Sequence, residues 1–424
     1  MQKSSHKKGP KILGPFLFFW IFAASLAYCA DAAEYERQAY EAAEKNQWQD
    51  AISFEQKAYN QDPANPIYKK QLASYYNNYA LYLFGIDRYD LAMVNFKEAL
   101  RLDPPNTTFK ENIYKITLSE ADKSLKKARF QEAINLAGDC INMYPDKSIA
   151  YAFLGSIYYQ QNDLEKAVQN WEKAFILKAD TPGLKTILDK AKKELSAEKG
   201  FKTRARAYFD IKFEGERDSD LVWDVMDMLE DARYKLKSDY GFFTDEKISV
   251  IIYNTEQFKQ ATGKLDWAFG VYDGKIRLKM ADVLTDKEFA KKVIYHEYAH
   301  AILHILYPKN IPLWLHEGFA QAAEPPYTLS QKEKNLLKET FKTREFSLSE
   351  TDKLLSSSDQ EQVNAGYLAS KLFLKYLLDK YGAYKFKNLL EKLNSKAPQE
   401  EAMFDIYRLH VKDIESDFAK RFLY

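Results

Sequence analysis

Tyr295-His296-Glu297-Tyr298-Ala299-His300 sets two histidines four residues apart. On a helix that spacing stacks their rings one turn above the other on a single face. Two such imidazoles can grip one metal ion, and the intervening Glu297 points into the same space, where it can act on a water. The flanks read as a helix from about Asp286 to Leu306. Val293, Ile294, Ala301, Ile302 and Ile305 recur at helical spacing, Thr285 with Glu288 forms a capping box, and Pro308 ends the element.

Downstream lies Asn310-Ile311-Pro312-Leu313-Trp314-Leu315-His316-Glu317-Gly318-Phe319-Ala320. Pro312 suits the first turn of a second helix. A short turn between two helices makes them antiparallel neighbours, so Glu317 can face the histidine pair as a third ligand. Two His and one Glu around one Zn2+, with a fourth position open, is a catalytic rather than a structural arrangement. His304 continues the i, i+4 series but drifts off the face, which reads as packing. His316 reads either as a supporting residue or as ordinary surface polarity.

Together, His296-Glu297-x-x-His300 and Trp314-Leu315-x-Glu317-Gly318-Phe319-Ala320 resemble the gluzincin zinc metallopeptidases, especially the peptidase-MA-like domains. The resemblance spans roughly residues 205–424. It implies that Glu317 is the third zinc ligand, that Glu324 matches a further glutamate of the pattern behind the ligands, and that Glu297 is the general base. It also implies a strand-helix-strand-hairpin lobe ahead of the metal helix. Gly366-Tyr367-Leu368-Ala369 resembles the start of a helix returning toward the metal, with Tyr367 the candidate oxyanion donor. The spacer from His300 to Glu317 is shorter than in the related aminopeptidases, and their GxMEN signature is absent. Gly270-Val271-Tyr272-Asp273 stands in the comparable region, which favours an endopeptidase.

Upstream of Lys199 the chain repeats itself. Ala51, Ala92, Ala133 and Ala167 are equivalent small positions, followed seven residues on by Ala58, Ala99, Cys140 and Ala174. Pro63, Pro104 and Pro145 punctuate the copies, and Leu154-Gly155-x-x-Tyr158 with Trp171 completes the clearest one. The pattern resembles the tetratricopeptide repeat, although spacings of 41, 41 and 34 residues run longer than usual in the first two intervals. Residues 184–198 read as a capping helix. Such a solenoid implies a groove for a protein partner.

The expected organisation is therefore multidomain: 1–33 a signal peptide or membrane anchor, 34–198 an all-α tetratricopeptide-like solenoid, 199–206 a linker, and 207–424 an α+β gluzincin-like peptidase domain. In that last part, 207–213 and 248–253 read as strands, 221–240 as a helix and 269–280 as a hairpin. Ile276-Arg277-Leu278 is the expected edge strand above the metal. At the N-terminus, Lys3, Lys7, Lys8 and Lys11 precede an apolar run from Ile12 to Ala30, as in a secretory signal. An uncleaved anchor through residues 12–30 is the alternative, and Leu26-Ala27-Tyr28-Cys29 only faintly resembles a lipidation site. Either way the protein is expected outside the cytoplasm, in the periplasm or held at the inner membrane.

Composition narrows the classes. At 424 residues two or three cores are expected. A net charge of +1 argues against a nucleic-acid partner. Two cysteines cannot build a disulfide framework, and Cys140 reads as a buried inert thiol. The reading is thus an exported zinc peptidase, one ion per chain, acting on peptide or protein substrates. The rival is a non-catalytic scaffold in which the repeats do the work.

Overall fold

The computed structural model describes residues 31–127, 129–178, 181–215, 219–263, 270–279, 286–325 and 330–423. Two compact units emerge: Met1–Tyr158 with Gln169–Leu184, and Tyr159–Val168 with Lys185–Tyr424.

Up to Ile176 the chain is a run of helix pairs: α1 (31–44), α2 (Trp48–Gln61), α3 (Pro66–Gly85), α4 (Tyr89–Leu102), α5 (Thr107–Lys126), α6 (Phe130–Met143), α7 (Ser148–Gln160) and α8 (Leu164–Ile176), of which Tyr159–Val168 group with the second unit. The small positions of the repeat are where helices touch. Ala51, Ala58, Ala92, Ala99, Ala133, Cys140, Ala167 and Ala174 are all fully buried. A β-carbon on Gly155 would lie 2.4 Å from the Trp171 indole, so only glycine admits that ring, whose N–H donates to the Ala152 carbonyl. Asn46 and Asp87, also 41 apart, turn two of the pairs with φ of +58°. Asparagine and aspartate tolerate this left-handed conformation better than most side chains. The long spacing has a simple origin: α3 and α5 have 20 residues each where α7 has 13. Two added turns keep the same contact face in register. Cys140 is buried, its thiol pushed up to about 12 by burial, as expected of an inert core residue.

The second unit continues with α9 (Leu184–Ala197), β1 (Lys202–Ala205), β2 (Phe209–Phe213), α10 (Ser219–Tyr240), β3 (Ile248–Tyr253), α11 (Thr255–Thr262), β4 (Gly270–Tyr272) and β5 (Ile276–Lys279). The helices α12 (Lys287–Leu306), α13 (Leu313–Ala323), α14 (Gln331–Phe341), α15 (Leu348–Leu355), α16 (Gln360–Asn394), α17 (Gln399–Tyr407) and α18 (Val411–Phe422) complete it. The sheet order is β1-β2-β3-β5-β4, with β2, β3 and β5 parallel and the two outer strands antiparallel.

Strand alternation assigns the two faces. Val250, Ile252, Ile276 and Leu278 point into the main core with α10 and α12. Ile251 and Tyr253 point the other way, against Ala197 of α9 and Phe258 and Ala261 of α11. Both faces are therefore covered, which is why β3 reads as an apolar run from Val250 to Tyr253.

Four expectations change. Residues 199–206 are not a linker, because 202–205 pair with β2 as an edge strand. The helix over 184–198, expected to cap the repeats, groups from Lys185 with the C-terminal unit and supplies a layer over its sheet. Helical structure already covers residues 31–33, where Ala32 packs with Ala58 and Tyr68, so the 1–33 boundary is moved back. Finally, β5 is not the edge. It lies between β3 and β4, every one of its residues is buried, and the half-buried β4 is the outer strand among the described residues. The expected capping residue Thr285 and the export segment 12–30 lie outside the described residues. Asp286 caps α12, accepting from the N–H groups of Glu288 and Phe289. Among the described residues, no helix is long and apolar enough to cross a membrane.

Replacing Gly155 with alanine should lower the stability of the repeat unit by about 1–3 kcal/mol, the usual cost of overpacking a filled site. Chemical denaturation followed by Trp fluorescence would measure it.

Candidate metal centre and active site

Helix α12 is anchored through Ala290, Ile294, Tyr298, Ala301 and Ile302, all essentially buried. That leaves one face, carrying His296, Glu297 and His300, turned toward a cleft of about 850 Å³. The following turn reverses the chain into α13, whose N-terminal Trp314 N–H donates to Asp352 Oδ1 at 2.7 Å. Helix α13 then presses onto α16 at Gly318, where a β-carbon would sit 2.8 Å from the Ser370 carbonyl oxygen. This close approach brings Glu317 of α13 and Tyr367 of α16 to the same cleft wall.

His296 Nε2 and His300 Nε2 are 3.0 Å apart. Glu317 Oε2 lies 3.6 Å from the first and 3.4 Å from the second. That oxygen is buried and has no hydrogen-bond partner. The other ring nitrogens are held from behind. His296 Nδ1 is 2.7 Å from Glu324 Oε1, and His300 Nδ1 is 3.1 Å from His316 Nδ1. Burial, followed by the neighbouring His300, pulls His316 down to about 4, which keeps it neutral and able to accept from His300. His304 lies beside the edge strand, its ring 5.6 Å from that of Tyr272.

Glu297 is 6% exposed, and burial raises its carboxyl above the ordinary range. Strand β4 passes directly over it. The Tyr272 backbone offsets part of that rise, and a β-carbon at Gly270 would come within 2.9 Å of Glu297 Cγ and Val293 Cγ1. Tyr367 faces His296 with ring centroids 6.4 Å apart, and its hydroxyl is kept protonated by burial and by Glu317 and Glu297. All six expected residues, His296, Glu297, His300, Glu317, Glu324 and Tyr367, thus line one cleft. Sequence reading left His316 open and gave Gly270 no part in the site. A glycine opposite a metal-motif helix is the signal that it is needed for close backbone approach.

The family model of the Peptidase MA superfamily matches residues 229–424. None of the curated proteins matches the chain. Among solved structures, a double mutant of MamA RS-1 is 18% identical, covering 38% of this chain and 83% of that one, with a TM-score of 0.22. MamA from residue 41 onward of Desulfovibrio magneticus RS-1 gives the same identity, coverage and score. The tetratricopeptide domain of P58(IPK) is 11% identical, covering 89% of this chain and 98% of that one, at a TM-score of 0.20.

The peptidase MA match suggests a metallopeptidase, and the donor set of this domain fits a metal ion. Ligands arranged tetrahedrally at the 2.0–2.2 Å typical of zinc lie roughly 3.3 Å apart. The three donor atoms here are separated by 3.0, 3.4 and 3.6 Å. The orphaned Glu317 oxygen supplies an otherwise unspent acceptor at the point of convergence.

Burial disfavours a charged His296, but the Glu324 carboxylate outweighs it and lifts the imidazole to about 9. An ion taking Nε2 must then displace a proton at neutral pH. Metal affinity should therefore rise with pH, about tenfold per unit, and level off near pH 9. Glu324→Gln should flatten that slope between pH 7 and 9 and weaken binding by about 10–100-fold. Metal titrations at several pH values would check both.

Proposed function

We propose that the protein is an exported zinc-dependent peptidase, favouring internal peptide bonds, whose helical repeats recruit a substrate or partner protein. The observation that carries this reading is the buried Glu297 carboxylate beside three convergent donor atoms. A scaffold without chemistry has no use for an acid held up in its pKa at the mouth of a metal site.

Bound zinc supplies Lewis acidity and a water acidified to near neutrality. The remaining work falls to side chains. An extended substrate backbone pairs with the free edge of β4, which aligns its carbonyl over the donors. Glu297 accepts a proton as the water oxygen bonds to the carbonyl carbon. The same carboxyl returns the proton to the amide nitrogen as the C–N bond breaks. The Tyr367 hydroxyl donates to the carbonyl oxygen while it carries negative charge. The close approach at Gly270 sets the base directly beneath the strand that presents the substrate.

One feature supports internal cleavage of a peptide, and another a recruiting role for the repeats. An aminopeptidase needs a spare carboxylate for the free amino end, yet Asp273, the acid at the cleft rim, is engaged by Arg277 and Lys190. Other acids lining the described cleft belong to the metal group itself. The repeat unit has its own cavity of about 720 Å³, lined by Tyr114, Leu118, Ile149 and Phe153 among others, which supports a recruiting role. Export rests on the basic, apolar and small-residue order of residues 1–33, and fractionation of cells carrying the tagged chain would test it.

Glu297→Gln should abolish cleavage of a peptide library while zinc stays bound, and chelation should abolish it reversibly. Tyr367→Phe should lower kcat by about 10²–10³ with little change in KM. Full turnover by Glu297→Gln, or cleavage indifferent to chelator, would refute the reading. A metal-loaded but inert wild-type chain that still captures peptides would favour the scaffold.

A further inference from the structure

The family match begins at Leu229 and leaves α9, β1 and β2 outside it. Lys190 and Glu194 of helix α9, with Glu198 just past its end, nevertheless form a row of charges turned onto the sheet. Arg277 at the centre of β5 is completely buried. Its guanidinium meets Glu194 Oε1 at 2.9 Å through Nη2, Asp273 Oδ1 at 2.9 Å through Nε, and the Tyr253 hydroxyl at 2.6 Å through Nη1. The Tyr253 hydroxyl donates onward to Glu198 at 2.6 Å. From the other side, Lys190 Nζ reaches Asp273 Oδ2 at 2.7 Å, and Tyr159 donates to Glu194 at 2.7 Å. Lys275 Nζ, 4% exposed with its residue, lies 3.5 Å from Glu194 and 2.7 Å from Asn162.

Asp273 is the junction. It sits in the turn between β4 and β5, with both carboxylate oxygens tied to cations, and with Gly274 it lines the cleft. Immediately before it, Gly270 and Tyr272 line the same cleft, and a β-carbon at Gly270 would collide with Glu297. Among the described residues, strand β4 has three residues and one neighbour, β5. Backbone pairing of that length does not fix the position of an edge on its own. We propose that Glu194, Arg277 and Asp273 are positioning residues, through which α9 fixes the β4–β5 hairpin over the cleft and so sets where substrate backbone and Glu297 meet. The consequence for catalysis rests on the peptidase reading above; the clamp on the hairpin does not.

The test uses full-length protein carrying Glu194→Gln, Asp273→Asn or Lys190→Met. Hydrogen–deuterium exchange of amides 270–274 should quicken about tenfold or more, with 209–213 in β2 unchanged, because only the hairpin is released. Bound zinc should be unaltered. Cleavage should fall about 10–100-fold in kcat/KM, mainly through KM, as expected when substrate alignment rather than the base is lost. Should Glu194→Gln unfold the unit, the half-exposed Lys190→Met decides. Unchanged exchange at 270–274 in folded variants overturns the proposal. Faster exchange in a protein whose wild type cleaves nothing upholds the clamp and removes only the peptidase reading.

Discussion

Burial of helix α12 between the sheet and the C-terminal helices is the constraint from which the cleft follows. From Ile294 to Leu303 the helix is largely buried, and His296, Glu297 and His300 form the strip it turns to the cleft. Side chains on a helix so enclosed have little freedom, and their rotamers are set before any ligand arrives. What remains is to bring an acid opposite. Gly318 does this by letting α13 approach α16 closely enough that the Ser370 carbonyl would collide with any side chain. Behind the donors, Glu324 and His316 occupy the spare ring nitrogens, so that each imidazole has one orientation.

The charged layer under the sheet follows a different logic. Buried ion pairs rarely add net stability over apolar packing, yet losing one partner is costly because a charge is stranded. Arg277 distributes its contacts over a helix, a neighbouring strand and a turn. Such an arrangement tolerates only one relative placement of those three parts. Specificity of geometry, rather than added stability, is what a polar layer of this kind supplies, here next to the strand over Glu297.

Much of this was legible in the chain. The metal pair and Glu317 lie on consecutive helices joined by a short turn, so their meeting needs only local geometry. The repeats were legible because identical contacts recur, and Ala51, Ala92, Ala133 and Ala167 all proved buried. What escaped reading depends on long-range partners. Nothing local distinguishes α9 as a repeat cap from α9 as a sheet layer, since its apolar stripe suits either. The order β3-β5-β4 could not be deduced from a hairpin signal, which says that two strands pair but not which one faces outward. Residues 202–205 read as a basic linker because an edge strand of four exposed or half-exposed residues carries no apolar alternation.

Gly270 has an implication for anyone wishing to redirect this cleft toward other sequences. The ceiling above the acid is bare backbone, and any larger residue there would displace either the strand or the acid beneath it. New preferences must therefore be built into the side walls, at Phe289, Ile311 or Leu313, where side chains already border open space. One wall of the molecule is thus frozen by its lack of a substituent, while the others are free to vary.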